Sequence, residues 1–265
     1  MKSTPSRLAP ILEAVRKRAV ERRSVRSIES LRQDFVLDAR RGDAFRNALR
    51  QPCLSIIAEC KRSAPSAGEL STENRLDERI ESYARGGADA LSILTEKDHF
   101  GGDLSDLQMA SNVLLPRLRK DFLLDEAMLL EAQIAGAHAV LLIVACLSPT
   151  QLAELRQQAR EMGLAVLMEV HDEEELVQAL PLEPDALGIN ARNLRTFEID
   201  LSVTERLLGQ VPKSVTKVAE SGMHKLEDLQ RMRDAGADAV LIGTALMRSA
   251  DPAALLRQWK ERLRG

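Results

Sequence analysis

Three stretches of this chain repeat one local device. GGADALSIL ending at Leu94, AGAHAVLLIV ending at Val144 and AGADAVLIG ending at Gly243 each close a helical segment on Gly-Gly or Ala-Gly and enter a short apolar run almost at once. Glycine suits the left-handed position after a helix, and a leucine- and valine-rich run suits a strand buried on both faces. Five more apolar runs, IIAECK, RLRKDF, VLMEV, ALGIN and KVAES, end instead on ionisable or amide side chains. Together they give eight strand candidates, starting near Leu54, Ala88, Leu114, His138, Leu164, Ala186, Val215 and Asp238.

The segments between these runs have helical periodicity. SPTQLAELRQQAREMG starts at Ser148-Pro149 and puts Leu152, Leu155 and Ala159 on one side. Strict alternation of strand and helix implies parallel pairing, and eight such units imply closure, so the expected fold is α/β, a (β/α)8 TIM barrel. An open doubly wound sheet competes with it, but no GxGxxG follows the first strand. The 265 residues suit one barrel domain over 1–265. Residues 1–52 are expected to be extra N-terminal helices packed on the barrel, and Leu8, Ile11, Leu12 and Val15 already mark one helix face. The chain stops soon after the eighth helix, so no fused second domain is expected.

Composition removes several function classes. Net charge is -3 with a pI near 5.9, and the basic residues are dispersed, so no nucleic-acid partner is expected. The longest apolar stretch, Ala139 to Leu147, is far short of the roughly 20 residues that cross a bilayer. Neither a membrane span nor a signal peptide is expected, and Glu13 and Glu21 weigh against an arginine-rich transit peptide. Cys53, Cys60 and Cys146 form no CxxC pair, which fits a reducing cytoplasm better than a disulfide framework. His99, His138, His171 and His224 form no HxH or HExxH pair, so no metal is expected, and no cofactor is implied.

The chemistry is concentrated where apolar runs turn polar. A parallel barrel strand emerges at its carboxyl end, where catalytic groups sit. Those ends offer Glu59, Lys61, Lys120, Glu169, Asn190, Arg192 and Glu220, enough for acid and base work without a metal. Glu59 and Lys61 are two residues apart and share one side of a strand, as a structural ion pair or as functional groups. Lys120 shares parity with Leu118; if that side faces the interior, its ammonium enters the mouth, where burial could lower its pKa towards neutrality. Glu169 closes five apolar residues and is the best general-base candidate. The acids from Asp172 to Glu175 read as the start of the next helix, and His171 beside them as a loop residue.

The ends of the last two strands, AESG and LIGTALM, place Ser221, Gly222, Gly243 and Thr244 where barrels often bind phosphate through free backbone N–H groups. The bland alternative is a pair of tight turns. The segment AECKRSAPSAGEL contains Pro65, Ser66 and Gly68 and reads as a loop able to fold over a ligand.

In this order, ECKRSAPS, LTEKDHFGG, LRKDF, LMEV, GINARNLRTFEIDL and VAESG make the chain resemble the indole-3-glycerol phosphate synthase family of tryptophan biosynthesis over essentially its whole length. The resemblance implies cyclisation of 1-(2-carboxyphenylamino)-1-deoxyribulose 5-phosphate with loss of carbon dioxide and water. It implies Lys120 as general acid, Glu169 as proton acceptor, and Lys61, partnered by Glu59, as a holder of substrate anions that shares acid work. Asn190 and Glu220 would bind sugar hydroxyls and orient Lys120, Arg192 would attract the anthranilate carboxylate, and Ser221, Gly222, Gly243 and Thr244 would receive the phosphate. Phe100 and Phe122 are candidates for the wall against the aromatic ring, with core packing as the plainer account, and Ser66 is the remaining loop hydroxyl expected at the substrate.

The chain departs from the family pattern at Ala64-Pro65-Ser66 in place of Ser-Pro-Ser, at Ala191 where a second amide is frequent, and at Thr244 where serine is common. These bear on affinity more than on proton transfer. A phosphoribosylanthranilate isomerase would call for a cysteine and aspartate pair, whereas the first strand ends in Glu59-Cys60-Lys61. A non-catalytic phosphosugar-binding barrel is the alternative of a different class. A small phosphorylated substrate and a monomer, or at most a weak dimer, complete the expectations.

Overall fold

The computed structural model describes residues 8–64, 68–69, 76–194 and 196–264. Eight parallel strands close into a barrel: β1 (Ser55–Cys60), β2 (Ala90–Leu94), β3 (Arg117–Lys120), β4 (Ala139–Ile143), β5 (Ala165–Val170), β6 (Ala186–Asn190), β7 (Thr216–Glu220) and β8 (Ala239–Ile242). Each pairs with the next in sequence, and β8 returns to β1 through Ser55 opposite Ala239. This is the (β/α)8 barrel expected from the alternation of elements.

Before β1 come α1 (Leu8–Val25), α2 (Ile28–Asp34) and α3 (Arg41–Leu49). The connections carry α4 (Leu76–Gly86), α5 (Lys97–Phe100), α6 (Leu104–Met109), α7 (Glu126–Ile134), α8 (Pro149–Glu161) and α9 (Glu173–Ala179). They continue with α10 (Leu201–Leu208), α11 (Leu226–Asp234), α12 (Thr244–Arg248) and α13 (Pro252–Leu263). Gly87, Gly136 and Gly236, the glycines of the three repeated junctions, have φ of 84°, 90° and 95°, as a left-handed helix exit requires. Helix α8 starts on the Ser148 cap with Pro149 in its first turn, and Leu152, Leu155 and Ala159 are its buried face.

Strand parity divides the core in two. Ile57, Leu118, Leu141, Leu167, Val218 and Leu241 point inward and fill the barrel. Their neighbours Ile56, Leu91, Val140, Val166, Leu187 and Val240 face outward under the helices. Both faces are covered, so the strands read as continuous apolar runs.

The N-terminal helices meet opposite ends of this barrel. At the amino ends of the strands, the Gly42 amide donates to the Gly163 carbonyl over 2.8 Å, and Phe45 and Leu49 of α3 join the interior cluster. Burying each of these side chains stabilises the plug by roughly 1.5–3 kcal/mol. At the carboxyl ends, Leu8 and Leu12 of α1 join the cluster holding Ile143 and Cys146, while Arg18 pairs with Glu96 just after β2. Helix α2 packs beside α7 and is tied to it by Arg32 and Glu126 at 2.7 Å. In the loop after β1, Ser63–Ala64 and Gly68–Glu69 pair antiparallel.

Candidate active site

The inward positions at the carboxyl ends are where parity stops placing aliphatic groups. Glu59 follows Ile57 on β1, Lys120 follows Leu118 on β3, Glu169 follows Leu167 on β5, and Glu220 follows Val218 on β7, each two residues on. Asn190 closes β6 and stands opposite Glu220 in the register. These side chains line one cavity together with Lys61, Phe100, Phe122, Arg192, Ser221, Gly222, Gly243 and Thr244. Ser66 and Pro65 lie outside the described residues.

Lys120 crosses the mouth. Its ammonium donates to Glu169 Oε2 over 2.8 Å and to Glu220 Oε2 over 3.0 Å. Asn190 Nδ2 donates to the other oxygen of Glu169 over 3.1 Å, so its amide is bonded to the carboxylate that Lys120 meets. Lys61 pairs with Glu59 at 2.5 Å on the side of the mouth nearest Gly243. Two residues past Asn190, the backbone amide of Arg192 donates to Asn190 Oδ1 at 3.0 Å, and its guanidinium donates to the Phe197 carbonyl at 3.3 Å.

Proton affinities separate the three central groups. Burial disfavours the charged form of Lys120, but Glu169, Glu220 and Glu59 outweigh it and hold the ammonium above the ordinary lysine range. The sequence-based expectation of a lowered pKa is therefore corrected: burial acts in that direction, and the facing carboxylates reverse it. Burial also opposes ionisation of Glu169, yet Lys120 and His171 keep it well below the usual carboxylate range. Glu220 is the loser of the competition. Burial, with the neighbouring Glu169 charge, pushes it up to about 8 despite Lys120, and its Oε1 has no hydrogen-bond partner. Near neutral pH the trio is an ammonium, a carboxylate and a carboxylic acid.

Backbone choices make room for these groups. A Cβ on Gly188 would lie 2.0 Å from Glu220 Oε1, and one on Gly243 would lie 2.3 Å from Glu59 Oε1 and 2.8 Å from Lys61 Nζ. After β7, Ser221 and Gly222 both take positive φ, 66° and 80°. A serine held there is strained by about 1–3 kcal/mol, a feature that clusters at ligand sites. Thr244 opens α12 directly after β8, where the first amides have no partner within the helix. Residues of both turns line the cavity, as do Phe100, Phe122, Leu194 and Phe197. Phe122 also packs against both core clusters, so both accounts of that ring hold at once.

Several participants escaped the sequence reading. Glu96, 2% exposed, lines the cavity and caps α5, accepting from the His99 amide at 2.7 Å, which fixes the helix that ends in Phe100. His171, read as a loop residue, is buried behind Glu169, with Nε2 3.2 Å from Oε1. The two-residue spacing that joined Glu59 to Lys61 applies equally to Glu169 and His171. Asp172, by contrast, caps α9 as the acidic run suggested. Among the described residues no group of three or more His, Cys, Asp or Glu side chains could hold a metal ion, and no helix is long and apolar enough to cross a membrane.

Comparison with known proteins gives the fold and the sequence separate relatives. Thiamine phosphate pyrophosphorylase from Pyrococcus furiosus covers 83% of the chain at a TM-score of 0.60 and 16% identity, over 98% of its own length. 3-Hexulose-6-phosphate synthase from Salmonella typhimurium covers 79% at 0.64 and 13%, again over 98% of its length. At such identities they share the barrel alone. In sequence, the indole-3-glycerol phosphate synthase of Koribacter versatilis is 41% identical over 257 residues, 96% of this chain and 98% of its own. That of Lachnospira eligens is 40% identical over 257 residues, 95% of this chain and 96% of its own. The family model for indole-3-glycerol phosphate synthase matches residues 8–259, and the chain belongs to that family.

Proposed function

We propose that this chain carries out its family's carboxy-lyase reaction with Lys120 as general acid and Glu169 as general base. The observation that supports it best is the Lys120 ammonium bonded to both Glu169 and Glu220 in the mouth of a closed barrel. The carbonyl of the carboxyphenylamino deoxyribulose phosphate is a weak electrophile. As the ring carbon bearing the carboxylate attacks it, the carbonyl oxygen becomes an alkoxide, a far stronger base than any carboxylate. A lysine held strongly protonated can therefore still deliver its proton there, and its charge stabilises the oxyanion as it forms.

Carbon dioxide then leaves, returning its bonding electrons to the ring. The hydroxyl made in the first step departs as water after protonation, and Glu169 takes the proton whose loss completes the indole. Lys61, paired with Glu59 beside the Gly243 turn, holds substrate anions and shares acid work. Arg192 serves the anthranilate carboxylate, and Asn190 and Glu220 serve the sugar hydroxyls. Phe100 and Phe122 wall the ring. Ser221, Gly222, Gly243 and Thr244 offer amides to the phosphate, and Ser66 is assigned to the substrate.

The same proposal takes residues 1–265 as one barrel domain with 1–52 as its helical cover, and sets it as a monomer, or at most a weak dimer, in the cytoplasm, where three unpaired cysteines are at home. The test is direct. Purified protein incubated with the carboxyphenylamino deoxyribulose phosphate should develop indole fluorescence, and Lys120→Ala and Glu169→Gln should each lose about 10²- to 10⁴-fold in rate. No signal from the wild type, or an undiminished signal from Lys120→Ala, sinks the reading.

A further inference from the structure

The proposed chemistry gives no task to the imidazole behind Glu169. His171 stands two residues beyond Glu169, its side chain 8% exposed, and does not line the cavity. Its Nε2 is 3.2 Å from Glu169 Oε1, an ion-pair contact. Its Nδ1 is 3.0 Å from Glu175 Oε2, and that same oxygen accepts the His171 backbone amide at 2.9 Å. Glu175 sits in the first turn of α9 behind the Asp172 cap, so a helix start fixes the ring from behind.

This arrangement answers a difficulty in the proton account. In the resting site Glu169 is 2% exposed and owes its charge largely to Lys120. Once Lys120 gives its proton to the substrate, that counter-charge disappears, and a buried carboxylate facing a neutral amine loses its main support. A second positive charge behind Glu169 removes the problem. Between two carboxylates the imidazole is pushed up to about 9 against the effect of burial, and is an imidazolium near neutral pH. Glu169 and Glu175 also act on Cys146, after β4, together with Arg16 of α1. Burial holds the Cys146 thiol neutral, so it does not compete.

We propose that His171, anchored by Glu175, is a positioning residue that keeps Glu169 ionised and turned toward the cavity while Lys120 donates its proton. The inference rests on the assignment of proton uptake to Glu169. It differs from that assignment in what it moves: His171 touches no substrate, so its loss changes the pH at which the base works more than it changes binding.

The experiment is a pH profile of kcat and KM for the full chain, wild type beside His171→Ala, His171→Gln, Glu175→Gln and Glu169→Gln, followed by indole fluorescence. In His171→Ala the acid limb of kcat should move up by about one pH unit or more, with activity recovering toward wild type at higher pH and KM changed less than about threefold. His171→Gln, which keeps the volume without the charge, should show the same displaced limb even where the alanine variant folds poorly. Glu175→Gln should move it in the same direction by less. A uniform loss of kcat at every pH, or an unmoved acid limb in a folded His171 variant, overturns the inference while leaving Glu169 as base. Wild-type turnover by Glu169→Gln overturns both.

Discussion

Lys120 Nζ lies 2.8 Å from Glu169 Oε2, so the proposed acid and the proposed base begin as one ion pair. Neither has its resting properties without the other. Removing Lys120 leaves Glu169 buried without its ammonium, and removing Glu169 leaves Lys120 to Glu220 and Glu59. The losses from Lys120→Ala and Glu169→Gln should therefore not multiply. Each single variant should lose about 10²- to 10⁴-fold, and the double variant should be no slower than the worse single by more than about tenfold. Single-turnover rates of the three proteins measure this; a double loss equal to the product would show two independent groups.

Glu220 should make stability fall as pH rises. Its folded pKa is raised from 4.5 to about 8. The folded state therefore holds a proton that the unfolded chain has released, and the stabilisation, complete below the unfolded value, is lost as pH climbs through the folded one. The slope is at most about 1.4 kcal/mol per pH unit between about pH 5 and 8. Glu220→Gln keeps the neutral form permanently and should flatten that part of the curve. Urea unfolding of both proteins at the two ends of the window decides it, since parallel losses would assign the dependence to other groups.

Much of this was legible because barrel strands have a parity and an end. Seven strands begin within two residues of their expected starts, from Ala186 on target to Ala90 two residues late. The third, expected near Leu114, begins at Arg117: Pro116 has no amide to give the sheet, and Leu114 points fully into solvent. The identities at the strand ends were equally readable. Their proton affinities were not. Lys120 meets carboxylates 49 and 100 residues away in sequence, and only closure of the barrel brings that charge against it. The role of Gly188 was hidden for the same reason, since what it makes room for arrives from the next strand.

Of the three charges in Arg119-Lys120-Asp121, Arg119 should matter to stability alone. Parity turns it outward and buries it completely, with Nε on Thr95 Oγ1 at 3.1 Å, Nη1 on the Met128 carbonyl at 2.7 Å and Nη2 on Asp121 at 3.0 Å. Arg119→Leu takes the counter-charge from buried Asp121, which keeps only Thr95 Oγ1 and the Phe122 amide, and should cost about 3–5 kcal/mol, with kcat of the folded fraction within about twofold of wild type. Denaturant unfolding and active-site-normalised turnover check both halves. A variant of native stability and no activity would move Arg119 into the site.

Gly188 tests whether the position of Glu220 is set by space or by its bond to Lys120. A methyl at residue 188 would fall 2.0 Å from Glu220 Oε1 and 3.1 Å from its Cδ, while Leu167 Cδ1 stays at an ordinary 3.4 Å. The carboxylate is the end of a flexible side chain, so it yields before the strand does, and it yields away from Lys120. Gly188→Ala should thus lower kcat by about tenfold and stability by about 1–3 kcal/mol through overpacking at that one contact. Glu220→Ala empties the space the methyl needs. In that background the same Gly188→Ala change should cost under about 0.5 kcal/mol, because the two residues share a single collision. Unfolding free energies of the four proteins close the cycle. An equal cost in both backgrounds would mean that the methyl is resisted by the barrel wall, and that Glu220 is held in place by Lys120 alone.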